Sequence, residues 1–105
     1  MANSYKVVTP HEVAQSYLSD GETLLLDVRT PSEWRVHRLA GTVLIPMDQL
    51  GQRYGELNPS QRIIVICEHG VRSEAAADFL ARQDFADVAT MIGGMAAWPG
   101  SVEKG

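Results

Sequence analysis

Arg62-Ile63-Ile64-Val65-Ile66-Cys67-Glu68-His69-Gly70-Val71-Arg72-Ser73, running on through an alanine-rich segment to Arg82, decides how the rest of the chain is read. Its branched apolar run stops at a polar, glycine-containing segment, and a helix-forming pattern starts directly after it. A run that is apolar at every position marks a strand covered on both faces, as in a parallel sheet packed between helices. Strand, tight turn and helix N-terminus are therefore expected in succession, with the only cysteine, Cys67, at the hinge. Amides at the start of a helix lack intrahelical acceptors, and together with the helix dipole they favour an anion at their focus. Such surroundings, or nearby cations, bring a thiol from its ordinary pKa of about 8.5 to roughly 3.5–7.5. Loop amides and Arg72 work in that direction here, and Glu68 works against it. The competing expectation is an inert core thiol, since free cysteine is among the most buried residue types. Gly70 and Arg72 behind Cys67 favour the reactive reading.

Outward from this stretch, the flanking segments repeat one pattern. Val7-Val8 precedes Thr9-Pro10-His11-Glu12, which reads as a capping box with proline at the first helical position. A helix to about Leu18 should follow, with Val13, Ala14 and Tyr17 on one face and Asp20-Gly21 ending it. Leu24-Leu25-Leu26-Asp27-Val28 is a second strand, and Thr30-Pro31-Ser32-Glu33 a second capping box. Asp27 and Arg29 thus fall at a strand's C-terminal end, the edge where open α/β sheets bind ligands. There they serve either the pocket or its scaffold, with Arg29 paired to Asp27 or Glu33; the scaffold role is the favoured expectation. Arg35, His37 and Arg38 form a small basic cluster, read as a solvated face or as a docking rim.

Val43-Leu44-Ile45-Pro46 is a third strand, followed by a helix from Met47 or Asp48 to Tyr54 and a turn at Asn58-Pro59-Ser60. After the Cys67 loop, Ala76, Phe79 and Leu80 share a helical face, and Val88 to Met91 is a last strand. Gly93-Gly94 permits positive φ or close approach to another segment. Trp98, after a helical turn from Met95, is read as core, with the wall of the pocket as the lesser reading. Strands alternating with helices give an α/β fold: a small doubly wound, mostly parallel sheet of about five strands with helices on both faces. One pocket at the edge shared by Asp27 and Cys67 is the default site.

The length of 105 residues suits one domain, with its core at about residues 5–99 and residues 101–105 a loose tail. A net charge of −4, scattered along the chain, suggests neither nucleic acid nor an anionic membrane as partner. One cysteine forms no internal disulfide and no CxxC pair. The start, Met1-Ala2-Asn3-Ser4-Tyr5-Lys6, lacks the apolar core of a signal peptide, so a cytoplasmic setting is expected. Cys67 and His69 share a loop while His11 and His37 belong to other segments, so no metal site and no cofactor are expected.

Several of these segments together resemble the single-domain rhodaneses, the rhodanese-like sulfurtransferases. Asp27-Val28-Arg29 with Glu33, then Gly41 ahead of Ile45-Pro46, is similar to the family's first signature; Cys67 to Ser73 resembles its active-site loop, and Gly93-Gly94 with Trp98 its C-terminal signature. The resemblance implies covalent sulfur transfer, with Cys67 taking a sulfane sulfur from thiosulfate, polysulfide or a persulfide and passing it from a Cys67 persulfide to cyanide or a thiol. It implies that Glu68, His69, Gly70, Val71, Arg72 and Ser73 bind the persulfide, their amides acting as an oxyanion hole does, with Asp27, Arg29, Arg38 and Trp98 as pocket or scaffold. His69 would sit at the rim, near enough to tune Cys67 or simply exposed. Partners would be a small-molecule sulfur donor and acceptor, or a sulfur-accepting protein docked on Arg35, His37 and Arg38, which would make the chain a sulfur carrier. Related phosphatases have one residue more between cysteine and arginine than the four here, which places phosphatase or arsenate chemistry second. The chain departs from the family at His37-Arg38, where Gly-His is usual, at Asp84, where glycine is usual, and in a loop with Glu68 and a single arginine. Thiosulfate is a dianion, so that loop should bind it weakly.

Overall fold

The computed structural model describes residues 4–105; Met1, Ala2 and Asn3, which begin the polar start read above, lie outside the described residues. Strand β5, Arg62–Ile66, occupies the middle of a five-stranded sheet in which every pairing is parallel. With β1 Lys6–Val8, β2 Thr23–Asp27, β4 Val43–Leu44 and β6 Val88–Met91, the order is β1-β6-β5-β2-β4. The two-residue β3, His37–Arg38, lies outside this sheet.

The alternation of a strand between two covered faces explains why β5 is apolar from Ile63 to Ile66. Ile63, Val65 and Cys67 enter one core with Ala76, Ala77 and Leu80, while Ile64 and Ile66 enter a second with Val8, Val13, Met91 and Met95. The first core is closed by α3, Leu50–Arg53, and α4, Val71–Arg82; Ala76, Ala77 and Ala81 are fully buried, and their small side chains let α4 lie close on the sheet. Tyr54 packs edge-on against Phe79, with ring centroids 5.3 Å apart. The expected doubly wound α/β arrangement is present, and Asp27 pairs in register with Ile66, so Asp27 and Cys67 reach the same edge.

Both capping boxes form. Thr9 Oγ1 accepts the Glu12 N–H at 3.0 Å, and Thr30 Oγ1 accepts the Glu33 N–H at 3.2 Å, with each glutamate bonded back to the cap amide. Several local expectations need correction. Helix α1 is α-helical only over Pro10–Glu12 and continues as a π-helix over Val13–Tyr17. Val13 and Tyr17 pack on the second core as expected, but Ala14, expected on the same face, is exposed. The segment after Pro46 is a 3₁₀ turn, Met47–Gln49, then α3, then a second 3₁₀ turn, Tyr54–Glu56. Asp84 adopts the left-handed conformation, with φ of 65°, where a glycine would be unstrained.

The loose tail is also corrected. After Pro99-Gly100 the chain returns, and β7, Glu103–Lys104, pairs antiparallel with β3. Val102 packs on the second core, and Ser101 O accepts the Trp98 Nε1–H at 3.2 Å. A partly buried apolar side chain and the pairing with β3 tie the segment down despite its polar composition.

Candidate functional site

The sheet edge brings Cys67 to the end of β5, and Gly70, with φ of 94°, turns the chain into α4. This left-handed turn directs the Gly70 N–H at Cys67 Sγ, 3.0 Å away, and the first turn of α4 directs the Ser73 N–H at the same sulfur, 3.2 Å away. Sγ lies 3.4 Å from Ser73 Oγ, which is itself bonded to Thr90 Oγ1 at 2.7 Å and to the Gly70 carbonyl at 3.3 Å. Cys67 is only 1 % exposed, yet its sulfur is met by amide donors rather than sealed in hydrocarbon. Of the loop amides expected to converge, those of Gly70 and Ser73 reach Sγ. Such donors suit a sulfur carrying negative charge.

Gly94 holds the loop from behind. The Met95 N–H donates to Cys67 O at 2.8 Å and the Ala96 N–H to Glu68 O at 2.9 Å, so the turn after Gly94 caps both carbonyls. A Cβ on Gly94 would collide with Cys67 O and the Glu68 carbonyl group, and its φ of 63° with ψ of −160° belongs to glycine. Gly94→Ala is therefore expected to destabilise the protein by about 2–3 kcal/mol, measured by urea denaturation; an unchanged midpoint would show that the two backbones separate freely.

Electrostatics divide into two clusters. Arg29 is fully buried and bonds Asp27 through Nε at 3.0 and 3.1 Å and through Nη2 at 2.8 Å; Nη2 also reaches His37 O at 2.8 Å and Nη1 reaches Glu68 Oε1 at 3.2 Å. Burial pulls the Arg29 pKa down, but its bonds to Asp27 and Glu68 outweigh that and hold it above the ordinary value. Asp27 and Arg29 are thus fully buried and paired with each other, and the Arg29 partners are Asp27 and Glu68, not Glu33. Glu68 turns toward Arg29, with His37 Nε2 at 3.8 Å.

Arg72 forms the second cluster. Its guanidinium grips Glu33 at both ends, Nη1 to Oε1 at 2.7 Å and Nη2 to Oε2 at 2.9 Å. The Arg72 pKa is raised chiefly by the Glu33 bond, with a smaller contribution from the charge of Cys67. The cation expected to favour a charged sulfur is thus engaged by a carboxylate. Glu33 falls from 4.5 to about 2, mainly through the Arg72 bond, against the opposing effect of its own burial and with help from Thr30. A carboxylate depressed in the folded state stabilises fully above its unfolded pKa, and that contribution fades as pH falls through 4.5 toward 2. Both side chains are about a third exposed, so solvent screening reduces the effect to about 1–2 kcal/mol. Wild type is expected to lose that much more stability than Glu33→Gln between neutral pH and about pH 2.5, measured by denaturant titration; parallel pH profiles would contradict it.

The remaining expected site residues divide between rim and scaffold. His69 is exposed and Val71 is 76 % exposed. Arg38 stacks over Trp34 at 4.2 Å and faces Glu103 at 3.8 Å, while Arg35 is exposed, so the basic rim is partly consumed internally. Trp98 is half-buried against the second core. Glu33 as partner of Arg72, and Thr90 beneath Ser73, were missed as site residues. Glu33 carried a capping signal, but its contact spans 39 positions of chain, and Thr90 carried none. A cleft of about 260 Å³ opens at this edge beside Arg72, Val28, Thr30, Pro46 and Met47. A larger hollow of about 420 Å³, along Tyr5, Val71, Glu74 and Asp78, lies on the outer side of α4; Cys67 lines neither, and only the smaller cleft includes Arg72 of its loop.

Among the described residues no helix is long and apolar enough to cross a membrane, and no cluster of three or more metal-ligating side chains occurs. The family model described as Rhodanese-like domain matches residues 9–101. The chain is 34% identical over 102 residues to the protein of Bacillus subtilis named "Putative sulfur carrier protein YrkF", covering 97% of this chain and 55% of that one, so it spans about half of that relative. It is 31% identical over 81 residues to "Thiosulfate sulfurtransferase GlpE" of Pseudoalteromonas translucida, covering 77% of each. A rhodanese-like domain protein of Staphylococcus aureus superimposes with a TM-score of 0.86 at 28% identity, covering 95% of this chain and 98% of that one.

Proposed function

From the premise that the chain belongs to the rhodanese-like domain family, we propose that it is a sulfurtransferase working through a persulfide on Cys67. The Cys67 thiolate attacks the outer sulfur of a donor; a new Sγ–S bond forms, the donor's S–S or S–sulfonate bond breaks, and the leaving group departs with the bonding electrons. Thiosulfate would release sulfite, and an organic persulfide its thiolate. An acceptor thiolate or cyanide then attacks the outer sulfur, and Cys67 leaves as thiolate. The observation that chiefly supports this reading is the convergence of the Gly70 and Ser73 amides on Sγ. Val71 and Arg72 open α4, where amides have no carbonyl one turn back, and are the proposed donors to the outer sulfur.

Incubation with thiosulfate, inorganic polysulfide or an organic hydropersulfide is expected to add one sulfur atom per chain by intact mass, removed by cyanide as thiocyanate. A chain that takes sulfur from none of the three would contradict the proposal. A relative named as a sulfur carrier supports a second reading, in which the acceptor is a protein. Transfer from the loaded chain to a protein thiol, without turnover to cyanide, would favour that reading.

A further inference from the structure

We propose that Glu33 is a specificity-determining residue: by engaging the single loop arginine, it turns the site away from dianionic donors and toward organic hydropersulfides of low charge. This deepens the sulfurtransferase reading and rests on it. Around Cys67 the two guanidinium groups, Arg29 and Arg72, face three carboxylates, those of Asp27, Glu68 and Glu33. Arg29 is spent on Asp27 and Glu68 at the sheet end, and His37 can add charge there only when protonated. Arg72 is spent on Glu33 in a two-point grip, the strongest geometry a guanidinium and carboxylate adopt. A dianion entering here meets no unmatched arginine, whereas the loop amides still accommodate one negative sulfur. The cleft beside Arg72 has Val28 and Pro46 in its floor, the accessible Pro31 and Met47 as apolar surface for the carbon body of an organic donor, and Asp48 as a further carboxylate that a dianion would meet. With such a donor, Cys67–S⁻ and R–S–SH give Cys67–S–SH and R–S⁻; the proton stays on the transferred sulfur, and the old S–S electrons leave with R–S⁻.

Glu33 also caps α2, Pro31–Val36, through Oε1, and a glutamine in its place can accept the same Thr30 N–H while carrying no charge. Glu33→Gln therefore leaves the Arg72 charge unneutralised and removes the acceptor of its Nη2 without deleting the cap. The test measures kcat/KM for Cys67 persulfidation by thiosulfate and by the hydropersulfide of N-acetylcysteamine, in wild type, Glu33→Gln, Arg72→Gln and the double variant. Wild type is expected to favour the hydropersulfide by about tenfold or more, and Glu33→Gln to raise the thiosulfate value roughly tenfold through a lower KM. That gain should vanish in the double variant, which a merely structural role for Glu33 would not produce. Equal use of both donors by wild type overturns the proposal, even if the variant fails to fold. An equal change for both donors in Glu33→Gln, or a thiosulfate gain that persists without Arg72, overturns it as well. Each of those outcomes leaves sulfur transfer itself intact, whereas failure of wild type to load from either donor removes the sulfurtransferase reading first.

Discussion

Cys67→Ser is expected to take up no sulfur from any donor while keeping the fold. No other cysteine can substitute for it. A hydroxyl in place of the thiol can accept the same Gly70 and Ser73 N–H groups and lie against Ser73 Oγ, so the buried ring of donors stays satisfied. What disappears is a nucleophile able to form an S–S bond. The stability change should be on the order of 1 kcal/mol, because the substitution alters polarity more than volume in a site that already holds polar partners. Intact mass after donor treatment reads the first effect and thermal melting the second. Sulfur retained by the serine variant would place the chemistry elsewhere; wholesale unfolding would make Cys67 first a packing residue.

Arg29→Met is expected to destabilise the protein by about 3–5 kcal/mol, a large part of a small domain's total stability. The methionine fills much the same space, but the fully buried Asp27 carboxylate loses its bonds to the guanidinium, and both Glu68 and the His37 carbonyl lose a donor. Removing one member of a buried pair leaves an uncompensated charge, which costs more than the intact pair contributes. The same change should loosen the Cys67 loop, since Glu68 is tied to the sheet end through Arg29. Urea denaturation measures the loss of stability, and hydrogen exchange of the Gly70 and Ser73 amides measures the loosening. A loss below about 1 kcal/mol would mean that Asp27 takes up its proton or admits water cheaply.

Features written in local chemistry were legible in advance. The apolar run before Cys67 announces a strand covered on both faces, and the two Thr-Pro starts announce capped helices, because both signals depend on neighbours a few positions away. Gly93-Gly94 announced a close approach of backbones, which the contact of Gly94 with the Cys67–Glu68 peptide realises. Legibility failed where local winding answers to packing. No local signal marks the π turn after Glu12 or the exposure of Ala14, and Val102 draws an otherwise polar end onto the second core.

The sequence by itself determined an α/β chain with its one cysteine at a strand-to-helix turn, since hydrophobic period, caps and glycines act over a turn or two of chain. Only the tertiary structure decided which charges face that sulfur. Arg72 meets Glu33 and Arg29 meets Glu68 because parallel strands bring their C-terminal ends to one edge, and each of these pairs spans 39 positions of sequence. Ion pairing follows distance in space, and for partners so far apart in sequence no local spacing encodes it.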